Sequence, residues 1–169
     1  MRSVLVCYTT RYGSTGEIAS IIAGELQKEG FTVTLSPLSQ VENPGNFDAV
    51  VIGSPLYMGK WLAEARDFVS RFRKELQDLP VAVFTVGYSF KDRMKEYIAP
   101  NEDALAPVRI FISPVAAGYF PGRVDTDRMN LTDREIIRLS GITPGDFLDH
   151  AEAGRWAREL PERLFPLGK

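Results

Sequence analysis

The sequence predicts a doubly wound α/β fold, a five-stranded parallel sheet with helices on both faces. Two patterns and a size argument lead there. Short β-rich runs alternate along the chain with stretches of helical spacing. Three of those runs are nearly continuous in apolar residues, as parallel strands buried on both faces require. The 169 residues, 44% hydrophobic and 25% charged, have ordinary globular composition and suffice for one substantial core, so 1–169 is expected to be a single domain.

The first run, "SVLVCY" (3–8), precedes a helix in which Ile18, Ile22 and Leu26 recur at i, i+4 before Gly30 ends it. Ser14 or Thr15 is the expected N-cap. Strands are expected at "TVTLSP" (32–37) and "DAVVIG" (48–53), and Trp61, Ala65, Val69, Phe72 and Leu76 then mark a second helix. "VAVFTV" (81–86) is the fourth strand; a helical pattern over 92–106 is broken by Pro100, and the fifth strand is expected at "VRIFISPVA" (108–116).

Residues 118–145 form a connection longer than the ~2–6 residues usual between strand and helix. This segment reads as a lid, a packing insertion or a dimer surface after strand five. Within it "TDRE" suits a capping box, Thr132 with Glu135, opening the short helix "IIRLSG". Trp156, Leu160 and Leu164 give a last amphipathic helix, capped by Asp146 or Asp149 and shortened or bent by Pro161.

The formal charge of −2, with basic and acidic residues interleaved, lacks the electropositive footprint that nucleic acid demands. Cys7 is the single cysteine and lies inside an apolar run, so neither an internal disulfide nor a redox pair exists and an inert core thiol is expected. "MRSVLVC" is too short for a signal-peptide core, and no run approaches the ~20 apolar residues of a spanning helix. A cytoplasmic location is the expectation.

Sheets of this kind bind ligands beyond the carboxyl ends of their strands, which singles out residues 9–15, 54–61, 87–91 and the segment after 117. "YTTRYGST" (8–15) is either an ordinary loop before a capped helix or a phosphate cradle, where helix N-terminal N–H groups meet an anion and hydroxyls add donors. The G-x-G-x-x-G dinucleotide fingerprint is missing from this turn, and "GSPLYMGK" has one residue too many between its glycines for a Walker loop. Cys7 precedes the loop and Arg11 follows too closely for a cysteine phosphatase, while Tyr8, Thr9 and Thr10 stand where a receiver domain needs carboxylates.

"TRYGST", Thr10 to Thr15, resembles the phosphate loop of the flavodoxins, S/T-x-T-G-x-T, with Gly13 and Thr15 in register; Arg11 and Tyr12 depart from the small residues usual there. "TTRYGSTGEIA" and "GDFLDHAEAGRWAREL" are similar to one branch, the menaquinone-dependent protoporphyrinogen oxidases and their flavodoxin-domain relatives. The resemblance implies a flavodoxin-like sheet of order 2-1-3-4-5 and FMN as cofactor. Its phosphate would be wrapped by Thr9, Thr10, Arg11, Tyr12, Gly13, Ser14 and Thr15, with Arg11 adding a charge-assisted contact.

The same resemblance places the flavin ring between two loops. The first offers Ser54, Pro55, Leu56, Tyr57, Met58 and Gly59, with Gly59 letting backbone approach N5. The other offers Val86, Gly87, Tyr88 and Ser89, with Tyr88 as a stacking partner. Trp61 is expected to pack within its helix instead. Tyr119, Phe120, Arg123 and Arg128 would line the mouth of the long segment.

The implied activity is that of an FMN-dependent oxidoreductase passing electrons from an organic donor to a quinone-like acceptor, with a quinone or porphyrin-like substrate. Peripheral membrane association and a homodimer are compatible with it. The alternatives are a non-catalytic electron carrier docking with redox proteins, and an NAD(P)H:quinone reductase, for which no nicotinamide motif is present. No catalytic triad, acid pair or metal cluster can be read, and His150 is expected at the surface near a helix end. Flavin chemistry needs no such set, because the protein's part is position and electrostatics.

Overall fold

A computed structural model describes residues 1–88, 90 and 102–167. In chain order the principal elements begin with β1 (Ser3–Tyr8), α1 (Ser14–Lys28), β2 (Thr32–Pro37), β3 (Ala49–Tyr57), β4 (Lys60–Trp61), α2 (Ala63–Arg71) and α3 (Arg73–Gln77). They continue with β5 (Val81–Val86), α4 (Ala106–Arg109), β6 (Ala116–Phe120), β7 (Arg123–Val124), α5 (Leu131–Leu139), β8 (Gly145–Asp146) and α6 (His150–Leu164). The parallel sheet runs β2-β1-β3-β5-β6, the expected 2-1-3-4-5 order once the short antiparallel strand β4 is set aside. β1 is its hub: Val4 lies opposite Val33 of β2 and Ala49 of β3.

Successive side chains of a strand point to opposite faces, so each central strand feeds two cores. Val4 and Val6, Ala49 and Val51, Ala82 and Phe84 pack with α1 and α6. Leu5 and Cys7, Val50 and Ile52, Val81 and Val83 pack with α2, α3 and α4. Burial on both sides explains the unbroken apolar runs, and it drives the Cys7 thiol pKa up by desolvation, leaving an inert thiol.

α1 starts differently from its expectation. Its N-cap is Gly13, in the left-handed region at φ 99°, with no side-chain cap, and Ser14 and Thr15 are already inside the helix. A missing cap costs ~1 kcal/mol. Ile18, Ile22 and Leu26, all fully buried, each contribute ~1.5–3 kcal/mol, so packing decides the helix.

β3 runs on to Tyr57 and turns through Met58 (φ 52°) and Gly59 (φ 79°) into β4, so the expected second loop is largely a β-hairpin. Two positive φ values at the central residues are the two-residue turn whose twist matches that of the strands. The strand expected at 108–116 is displaced to Ala116–Phe120. Val108 and Ile112, both buried and four apart, belong to a helical turn begun at Ala106 and continued by the Ile112 N–H bond to Val108 O, a spacing a short apolar run does not distinguish from a strand. The helix expected over 92–106 lies mostly outside the described residues.

The long connection is a built unit. β7 and β8 pair antiparallel, Arg123 opposite Asp146, and close its base, with α5 between them. Asn130, not Thr132, caps α5 by accepting from Asp133 N at 2.8 Å, and Gly141 (φ 69°) ends it. Asp149 caps α6 by accepting from Glu152 N, and α6 continues three residues past Pro161, held by buried Leu160 and Leu164. Among the described residues no helix is long and apolar enough to cross a membrane.

Candidate functional site

The first loop, the β3–β4 hairpin, the end of β5 and the long segment converge on one cleft of about 300 Å³ beyond the carboxyl ends of β1, β3 and β5. Thr10, Arg11, Tyr12, Ser14 and Thr15 line its floor end. Pro55, Leu56, Tyr57 and Met58 form one wall, and Val86, Gly87 and Tyr88 join them. Thr9, Gly13, Ser54 and Gly59 stand just outside this lining, and Ser89 is outside the described residues.

Thr15 carries the most informative oxygen. Its side chain is 1% exposed at the start of a fifteen-residue helix, and its Oγ1 has no hydrogen-bond partner. A buried hydroxyl without a partner costs ~1–3 kcal/mol, a penalty that a ligand acceptor in the cleft would relieve. The loop around it is otherwise ordered. Gly13 N donates to Thr10 Oγ1 at 2.9 Å, Ser14 Oγ accepts from Arg123 N at 3.0 Å, and the Arg128 guanidinium lies beside Gly13.

Thr9 is turned away: its hydroxyl donates to Glu64 Oε2 at 2.7 Å and its N–H to Gly53 O. Ser54 is likewise internal, donating to Pro55 O and accepting from Leu62 N, which pins the hairpin to the start of α2. Trp61 is 1% exposed core and not a cleft wall. Phe120 is also core, against Phe84 and Trp156. Tyr88 reaches the cleft and meets Phe147 edge-on at 5.6 Å.

Arg11 does not point its charge at an open phosphate site. Its Nε donates to Asp133 Oδ2 at 2.8 Å and a terminal nitrogen reaches the same oxygen at 2.7 Å, while its guanidinium sits 4.2 Å over the Tyr57 ring. Tyr57 Oη donates to Asp133 Oδ1 at 2.7 Å, and Tyr12 Oη donates to Oδ2. Burial alone would raise the Asp133 carboxyl, but hydrogen bonds from Tyr12, Tyr57 and Arg11 outweigh it and hold the group below its usual range. The Tyr12 phenol is raised by burial and by its bond to Asp133; the Tyr57 phenol is raised first by that same carboxylate.

The long segment therefore supplies a wall that the loop expectations lack. Val124, Met129, Ile136, Ile137 and Ile142 add apolar surface, and Asp133 adds the anion. The local sequence, Asn130-x-x-Asp133, marks a cap and a first-turn carboxylate but not its contact with Arg11. Arg123 pairs with Glu17 at 3.1 Å and Asp146 at 3.2 Å, and exposed His150 also meets Glu17, which ties the base of the segment to α1. Among the described residues no group of His, Cys, Asp and Glu is arranged to hold a metal ion.

Comparison with known proteins places this architecture. A protoporphyrinogen IX dehydrogenase [quinone] of Escherichia coli K12 is 29% identical over 170 residues, covering 92% of this chain and 93% of that protein. An archaeal flavodoxin shares the fold with a TM-score of 0.57 at 15% identity, covering 96% of this chain and 98% of that one. A Fusobacterium nucleatum flavodoxin bound to flavin mononucleotide gives 0.57 at 13% identity, over 97% and 99%. The flavodoxin domain model matches residues 5–143, and the chain belongs to that family.

Proposed function

We propose that this protein is an FMN-dependent oxidoreductase that takes electrons from an organic donor and passes them to a quinone-like acceptor. The observation that carries it is the unpartnered Thr15 hydroxyl at the N-terminus of α1, in a cleft that also presents the apolar Leu56, Met58, Ile136 and Ile137. The residues present fit the group. A phosphate there would accept from Thr15 Oγ1 and from first-turn N–H groups of a helix without a side-chain cap, where the helix dipole favours an anion. Leu56, Tyr57 and Met58 offer the apolar and aromatic surface a flat ring needs, and Gly87 admits backbone where a Cβ would lie 3.0 Å from Leu56 Cβ.

When bound, FMN supplies hydride and electron transfer. The chain's own part is to hold the phosphate end, wall the ring and exclude water with the apolar face of the long segment. A quinone acceptor and a protoporphyrinogen-type donor are supported by the relative that is 29% identical over nearly the whole chain.

Titration of the cofactor-free chain with FMN, followed by flavin fluorescence, tests the first half; absence of binding would sink it. Steady-state assays with a reduced porphyrin and a menaquinone analogue, run beside cytochrome reduction, test the second. Turnover with cytochrome alone would favour an electron carrier instead.

A further inference from the structure

Asp133 is the one charged residue among the buried polar residues described, at 3% exposure. It is carried by α5, yet its carboxylate serves three donors on two other elements: Arg11 and Tyr12 of the first loop and Tyr57 of the hairpin. Ile136 and Ile137, three and four residues on, share its helix face and line the same cleft as Leu56 and Met58. The opposite side of α5 is solvated, with Leu131 78% and Leu139 74% exposed. Arg134 and Arg138 bond within the segment itself, to Thr126 O and to Glu135. The anchor and the apolar wall are thus one rigid unit.

The same contact also settles where the charge goes. Arg11 is the cation that reaches the cleft from the first loop, and its guanidinium is neutralised by Asp133 rather than offered to a ligand. Between α5 and the hairpin the cleft is walled by isoleucine, leucine and methionine, and its lining cations Arg11 and Arg123 are both paired, so this part, unlike the Thr15 end that takes the phosphate, offers an anionic guest no free cation and suits a flat neutral one.

We propose that Asp133 is a specificity-determining positioning residue, which holds α5 across from the hairpin and silences Arg11, so that the slot takes neutral quinones in preference to anionic ones. This rests on the FMN oxidoreductase reading above.

The experiment compares wild type with Asp133→Asn, a near-isosteric change that removes the anion and one of its two accepting oxygens. With FMN loaded, KM is measured for an uncharged naphthoquinone and for its sulfonated analogue. In the variant the ratio of sulfonated to neutral KM falls about fivefold, the effect one newly unpaired, partly exposed cation allows, while kcat stays within about twofold. In the cofactor-free chain, amide exchange over 131–139 quickens in Asp133→Asn, because the anchor weakens.

A purely structural role would raise both KM values together, and that outcome, or unaltered exchange in α5, overturns the inference. Tyr57→Phe keeps the ion pair and removes one donor; it should quicken exchange without moving the ratio, and a shifted ratio there also counts against the inference. Wild type that takes up no FMN defeats the underlying reading and this one with it. Uptake of FMN with an unmoved ratio defeats this one alone.

Discussion

Trp61 Nε1 donates to Thr85 Oγ1 at 2.8 Å, joining β4 to β5 inside the core. The bond pins the hairpin that forms one wall of the cleft. Thr85→Val would leave the indole N–H buried without an acceptor, at a cost of about 1–3 kcal/mol. Adding Trp61→Phe to that variant should cost less than Trp61→Phe alone, since the orphaned donor goes with it. Urea unfolding of the two single variants and the double variant measures this coupling.

Thr15 gives a prediction with opposite signs in two states. Thr15→Val keeps the β-branched shape and removes a hydroxyl that has no partner in the cofactor-free chain. The cofactor-free protein should gain about 1 kcal/mol, while FMN affinity should drop about tenfold. Thermal unfolding and a fluorescence titration check the two arms.

The acid limb of stability should depend on Asp133. Its folded pKa lies below the usual 3.8, so its cluster contributes fully above the unfolded value and is lost as pH falls through the folded one. Asp133→Asn should therefore flatten the decline of Tm below about pH 4. It should not abolish it, because Asp146, bonded by Leu148 N and paired with Arg123, is lowered too. Tyr57 acts at the other end. Its phenol is raised above 10.0, so its contribution is complete below the unfolded pKa and fades as pH rises through the folded one; Tyr57→Phe should lessen the alkaline fall without abolishing it, because the Tyr12 phenol is raised as well.

Gly53 is fixed by Phe84. A Cβ at residue 53 would lie 2.0 Å from Phe84 Cζ, inside the sheet's α1 face. Gly53→Ala should destabilise by about 3 kcal/mol or more, as a rigid aromatic at the centre of a packed face cannot yield. A Tm within error of wild type would contradict this.

The central strands were legible because burial on both faces writes itself as apolar runs, and β1 and β5 occupy the residues those runs marked, whereas the exposed edge strand β2 was marked by its β-branched residues. The order of strands came with the family resemblance and not from periodicity. β6 was misplaced because Val108 and Ile112 satisfy a helical turn as readily as a strand. Loop chemistry singled out residues 9–15, of which Thr10, Arg11, Tyr12, Ser14 and Thr15 line the cleft. Asp133 was not legible, since its role depends on α5 folding back onto Arg11, and nothing local in "TDRE" distinguishes a first-turn carboxylate that caps from one that anchors.

The Arg11–Asp133 contact spans 122 positions of sequence, and every pairing in the spine of the sheet is parallel and therefore non-local. Such topology makes loop closure precede its reward and slows the search for the native arrangement. During synthesis the first loop emerges long before the helix that shuts it in, so the nascent chain carries an open-mouthed half-site through most of its elongation. A temporary guest able to sit on that half-site would meet the polypeptide earlier than its own last wall does.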